Sequence, residues 1–219
     1  LIRLAGVPVA APSANLSGRP RPTSARHVAD DLDGRIDVII DGGDCEVGLE
    51  STVVKLDGET VTVLRPGAVT PEMLRTVCEN VKLDAGITEK LPEGTAPQAP
   101  GMKYRHYAPH AAVYLIKDAG GADFDRRAVE FLREKLRENP KTGVLCLDEY
   151  AGELHGKNVF VFGKKRDGAA HAKKLFDLLR RFDDTDAPAI YALADDTDGI
   201  GLALYNRMLK ASGYHVLDL

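Results

Sequence analysis

Ser13, Asn15 and Thr23 lie in one stretch, APSANLSGRPRPT (Ala11–Thr23), where hydroxyls, an amide and a glycine stand between prolines. Hydroxyls and amides donate to phosphate oxygens, and Gly18 lets a backbone approach closely. The same residue types dominate ordinary turns, so on types alone a turn before a capped helix is the plainer account. Ser51, in GLESTVV (Gly48–Val54), stands before a strand expected to be buried. Its hydroxyl either closes on its own backbone or meets a ligand at the strand's start. Arg65, in LRPG (Leu64–Gly67), leaves an alternating run beside a rigid turn. A guanidinium there can grip a phosphate with both arms, although a solvated or ion-paired side chain is the simpler reading. In PGMKYRHYAP (Pro100–Pro109), Lys103, Tyr104, Arg105, His106 and Tyr107 alternate cations with rings. They can stack on adenine and neutralise phosphate, or simply pack a sticky linker onto its own domain.

Other patterns carry less. His106 and His110 are four apart, but Pro109 breaks any helix that would align them on zinc. Gly199-Ile200-Gly201 lacks the third glycine and the following acid of a dinucleotide fingerprint, and reads as a tight entry into the last helix. Asp195, Asp196 and Asp198 form an acidic loop that reads as a solvated turn before it reads as a divalent-ion site.

These residues need elements to hold them. LIRLAG reads as a helix end, and Thr23 or Ser24 caps a helix running to about Asp33, with Gly34 as its stop. IDVIIDGG (Ile36–Gly43) reads as a buried strand. STVVKL and TVTVLRP are β-branched runs joined through Asp57-Gly58, a hairpin signal. Thr70-Pro71-Glu72 starts another helix. Pro92, Pro97, Pro100 and Pro109, with Gly94 and Gly101, mark an extended linker. From Val113 onward AVYLIK, TGVLCLD, NVFVFG and PAIYALA read as strands, alternating with helices over 124–139, 169–182 and 201–212. Such alternation predicts a mostly parallel sheet covered on both faces.

Composition bounds the rest. Of the 219 residues 44% are hydrophobic and 28% charged, the mixture of a globular protein with room for a core. A net charge of −4 and a pI near 5.9 argue against broad electrostatic binding of nucleic acid. Cys45, Cys78 and Cys146 are odd in number and form no CxxC, which points to a reducing cytosol and to neither a disulfide framework nor a zinc ribbon.

Taken as an ordered set, PSANLSGRPRPT, IDVIIDGG, VGLESTVV, LRPG and PGMKYRHYAP resemble the L-threonylcarbamoyladenylate (threonylcarbamoyl-AMP) synthase family in its two-domain form. The stretch DDTDGIGLALYNRMLKAS (Asp195–Ser212) is similar to that family's C-terminal domain, and the similarity runs over essentially the whole chain. The resemblance implies an α/β fold: part of a YrdC-like domain with a twisted mixed sheet over 1–82, a proline-rich linker over 83–112, and a smaller Rossmann-like, mostly parallel domain over 113–219. It implies joining of L-threonine, bicarbonate and ATP into threonylcarbamoyl-AMP and pyrophosphate, the first step of tRNA threonylcarbamoyladenosine synthesis. Magnesium would ride on the phosphates, with no protein metal ligands.

By motif, Ser13, Asn15, Thr23, Arg65, Arg105 and Tyr107 would bind ATP and Ser51 the threonine. Tyr104 and His106 would belong to a linker lid, and no residue stands out as general base. Implied partners are the transferase complex that consumes the product and, weakly, RNA; no membrane is implied, and the location is cytoplasmic. The family's catalytic domain begins upstream with a lysine-and-arginine motif that these residues do not contain. The expectation is therefore half of a catalytic domain, inactive by itself. The alternative is a non-catalytic nucleotide- or RNA-binding module.

Overall fold

A hairpin starts the first sheet. β1 (Val53–Asp57) and β2 (Thr60–Arg65) pair antiparallel, and Gly58 supplies the positive φ of 56° that their tight connection requires. The computed structural model describes residues 1–92, 94–96, 98–99, 107–120 and 122–219. Ahead of the hairpin lie α1 (Ile2–Ala5), closed by a left-handed Gly6, and α2 (Ala25–Leu32), whose N-cap Ser24 accepts from the His27 amide. After it, Thr70 caps α3 (Pro71–Arg75), with proline at the first position where a missing N–H costs nothing. β3 (Asn80–Leu83) then lies parallel to β2, giving a mixed three-stranded sheet in the order β1-β2-β3. A single 3-10 turn, Ala85–Ile87, follows it.

The second sheet has five parallel strands. β4 (Ala112–Lys117), β5 (Gly143–Cys146), β6 (Val159–Val161), β7 (Ala189–Leu193) and β8 (Val216–Asp218) are ordered β6-β5-β7-β4-β8. Between them run α4 (Phe124–Glu138), the single turn α5 (Asp148–Ala151), α6 (Gly168–Asp183) and α7 (Ile200–Ala211). Leu132 and Leu136 of α4 and Leu175, Leu178 and Leu179 of α6 turn their shared stripes into one core with β4, β5 and β7, as the three- and four-residue spacing predicts.

Two expectations fail, for a common reason. Residues 36–43 form no strand: Ile36, Val38 and Ile40 are 42%, 73% and 71% exposed. A strand persists only where a neighbouring ladder satisfies its backbone, and no described strand lies beside this run. β1 is likewise not buried. It is the edge of its sheet, with Val54 at 38% and Leu56 at 72% exposure, and no described layer covers that face. Elements too short for a period to show (β3, α5 and β8) had no sequence signal.

α6 and α7 pack on each other and carry side chains across to the first sheet's side of the molecule. Arg180 of α6 donates through both arms to Asp31 of α2, at 3.1 and 2.8 Å. The Asp31 side chain is fully buried, and it also accepts from Arg19 at 2.7 Å and the Leu16 amide at 3.2 Å. Burial alone would raise the Asp31 pKa; Arg180, with the Leu16 amide and Arg19, more than reverses this and holds it below the usual range. Asn206 of α7 donates to the Ile87 carbonyl at 2.7 Å, and Lys210 to the Gly86 carbonyl at 3.1 Å. Val63, Ile87 and Leu202 make a small apolar cluster at the same junction. Replacing Asp31 by asparagine leaves Arg180 charged in a dry site, so the expected loss of unfolding free energy in urea is about 3 kcal/mol. A loss below about 1 kcal/mol would show that Arg180 finds another acceptor.

Candidate active site

The loop carrying Ser51 is shaped by a glycine. A Cβ on Gly67 would stand 2.6 Å from both the Glu50 carbonyl and the Thr52 amide, so LRPG can fold over GLEST only because residue 67 has no side chain. That close approach aligns Arg65 with Ser51: its Nε donates to the Ser51 carbonyl at 3.0 Å and its Nη2 to the Ser51 hydroxyl at 3.3 Å. The remaining arm, Nη1, meets no acceptor among the described residues. Gly48 fits the same loop against α6, where a Cβ would lie 2.3 Å from the Ala172 carbonyl.

Ser13, Thr23, Ser51 and Arg65 line one cleft of about 670 Å3, with Arg21 and Glu50 in its wall and Phe176 of α6 closing one side. Asn15 is near but differently used. Its amide donates to the Leu16 carbonyl at 2.7 Å and its oxygen faces Arg21 Nη1 at 3.5 Å, so it holds the loop in shape rather than facing the cleft. Thr23 is 8% exposed; its hydroxyl and amide both face Nδ1 of His27, whose Nε2 meets Asp177 of α6 at 3.2 Å. Tyr104, Arg105 and His106 lie outside the described residues. Tyr107, next in the chain, is described and 3% exposed. Its ring sits 5.2 Å from Phe176, its hydroxyl hydrogen-bonds Glu50, and its φ is 66°.

Glu50 organises the cleft's charge. One oxygen accepts from Arg21 Nε at 3.2 Å and the other from Arg207 Nε at 2.8 Å. Burial pushes its pKa up, but the Arg207 charge and hydrogen bond, with that of Tyr107, bring it down to about 2. Burial beside Glu50 pushes the Tyr107 hydroxyl up to about 12, so it donates at any physiological pH. Arg65 is lowered by burial, with Glu50 opposing, and remains a cation. Arg21, Arg65 and Arg207 against one carboxylate leave this wall net positive and suited to an anion. Among the described residues no group of three or more histidines, cysteines or acids is placed to hold a metal ion.

Residues 69–213 match the family model described as "Threonylcarbamoyl-AMP synthase, C-terminal domain", and residues 1–67 match one described as "Telomere recombination". The chain belongs to the threonylcarbamoyl-AMP synthase family. It is 39% identical over 217 residues to the threonylcarbamoyl-AMP synthase of Bacillus subtilis, covering 99% of this chain and 60% of that protein. The Schizosaccharomyces pombe threonylcarbamoyl-AMP synthase is 38% identical over 97% of this chain and 54% of its own length. The crystal structure of Pyrococcus abyssi Sua5 complexed with L-threonine superposes with a TM-score of 0.85 at 39% identity, over 100% of this chain and 62% of that one. The chain therefore spans somewhat under two thirds of the relatives it matches. No helix of the described residues is long and apolar enough to cross a membrane.

Glu50, Arg21 and Arg207 of this synthase-family chain escaped the sequence reading. Glu50 lay in a quoted motif, and its signal was a lone acid among small and apolar residues; Arg207 sat in a stripe that reads as an ordinary helix. Glu50→Gln should cost roughly 3 kcal/mol at neutral pH, because it leaves Arg207 buried without its counter-charge. Since the Glu50 pKa is depressed, its contribution is complete above the ordinary value of 4.5 and is lost as pH falls towards about 2. Unfolding curves of the two proteins should therefore converge over that interval. A gap independent of pH would remove the ion pair as its cause.

Proposed function

We propose that this chain carries the threonine- and phosphate-facing part of a threonylcarbamoyl-AMP synthase site. In that reaction the L-threonine amine and bicarbonate give a carbamate and water. A carbamate oxygen then attacks the α-phosphorus of ATP, and pyrophosphate leaves. The observation that carries the reading is the Arg65–Ser51 pair, with one guanidinium arm uncommitted among the described residues, at the wall of a cationic cleft in a chain of this family. A solved relative, the Pyrococcus abyssi protein, has L-threonine bound.

In this reading Arg65 presents Nη1 to a phosphate oxygen while its other donors fix Ser51, whose hydroxyl meets the threonine. Ser13 and Thr23 donate to the nucleotide from the opposite wall, and Asn15 keeps their loop in register. Positioned donors of this kind lower the barrier by holding reactants in line and offsetting charge as it develops. Tyr107, anchored on Glu50 and Phe176, fixes the end of the segment that holds Tyr104, Arg105 and His106. Those three act as a lid on the nucleotide, excluding water from a labile carbamate and mixed anhydride.

Magnesium would arrive on the triphosphate. The described part of the cleft offers it no carboxylate, because Glu50 is the one acid among the lining residues and both of its oxygens are engaged. A cytosolic location and a downstream transferase acting on tRNA complete the proposal.

The test is threonine- and bicarbonate-dependent pyrophosphate release, run with these 219 residues and with the same residues joined to the remainder of the Bacillus relative. Dependent release from the extended form, reduced roughly a hundredfold in kcat/KM by Arg65→Ala, is the expected result. Arg65→Lys should recover little, since a point charge cannot serve Ser51 and a phosphate together. Silence from a folded extended form would overturn the reading in favour of a binding module.

A further inference from the structure

A second cavity, sharing no lining residue with this cleft, lies at the carboxyl ends of the parallel strands. The chain runs from β4 outward to β5 and the edge strand β6, then back to β7 and on to β8, so the connections leaving the neighbouring strands β5 and β7 run in opposite directions. In open parallel sheets, crevices outside the strand ends at such reversals are where ligands bind. The cavity borders that point on the β7 side, between the segments following β6 and β7 and the first turns of α6 and α7, and encloses about 150 Å3.

Its wall holds two polar side chains with incomplete hydrogen bonding. The His171 side chain is 2% exposed and that of Asp195 5%, and neither His171 Nε2 nor Asp195 Oδ1 has a hydrogen-bond partner among the described residues. Such atoms are rare in native interiors, because each forfeits the full cost of leaving water. The burial of Asp195 also corrects its reading as part of a solvated turn, which holds for Asp196 and Asp198 alone. Both side chains are locked in place. The His171 ring stacks on Phe162 with centroids 4.5 Å apart, and Asp195 Oδ2 accepts the Arg166 backbone amide. Ile200, Leu204 and Met208 of α7 supply an apolar wall, and no side chain caps the start of that helix.

We propose that this cavity is a second ligand site, taking a small organic cation: an ammonium group on a short apolar body. A carboxylate oxygen can only accept, so Asp195 Oδ1 calls for a donor. Asp195, Asp196 and Asp198 outweigh Arg166 at the mouth, which disfavours an anion. The apolar wall takes the hydrocarbon. A dry cavity of about this size accommodates a six-carbon ring, so the fitting molecule has roughly five to eight heavy atoms. Histidine Nε2 closes the far side by donating to, or accepting from, a second polar atom.

Saturation-transfer NMR on the full chain with n-butylammonium, n-butanol and butyrate tests this, since the three share a chain and differ in the head. The cation should bind at least tenfold more tightly than either isostere, and that preference should vanish in Asp195→Asn. Ile200→Trp, which fills the mouth and keeps the acid, should abolish binding while circular dichroism shows the fold retained. Equal or better binding of butyrate, an undiminished preference in Asp195→Asn, or no binding of any probe because water satisfies both atoms would overturn the proposal. All three readouts are independent of synthase activity.

Discussion

A carboxylate and a guanidinium buried together hold this molecule in one shape. Arg207 is fully buried in the middle of α7, and an arginine cannot shed its charge to suit such a place. Its partner must come to it, and Glu50 does so from the loop that also presents Ser51. The loop therefore cannot drift from α7 without stranding a charge in the interior. That requirement fixes the cleft more firmly than the thin three-stranded sheet beneath it can.

The other contacts between α6, α7 and the first part of the chain repeat the device in milder form. Arg180 meets Asp31, Asn206 and Lys210 meet backbone carbonyls beside Ile87, and Phe176 forms a wall of the cleft itself. Lys210 shows the cost: burial, with Arg207 nearby, brings its pKa down to about 8. Charged groups are spent here on register, because each has one acceptor geometry that satisfies it, whereas an apolar seam tolerates sliding. The two α/β parts thus share one cleft, with the parallel sheet serving as the stiff mount for two helices that reach it.

Local chemistry was readable from the sequence wherever the signal was local. Thr70-Pro71 and Ser24 marked helix starts because caps act within one turn, Asp57-Gly58 marked a hairpin, and the stripes of α4 and α6 marked a core. Ser51 and Arg65 were legible only as separate motifs; their meeting, and the missing side chain at Gly67 that permits it, exist only in three dimensions. Ile36–Ile40 shows the opposite failure. Its pattern is that of a buried strand, and pattern alone cannot say whether a ladder stands alongside. Asn15 reads as a nucleotide donor; its amide is here engaged by the Leu16 carbonyl, a local competition that residue type alone does not reveal.

The pins between the two parts lie in α2, the Glu50 loop and the 85–87 turn on one side, and in α6 and α7 on the other. None of these four falls within 92–109, where the prolines gather and where Tyr107 adds a ring contact of its own to Phe176. The covalent connection is therefore not what alone keeps the parts together. A chain cut there by a protease would remain one particle, held by ion pairs and carbonyl contacts, and would migrate as uncut protein until a denaturant separated its pieces.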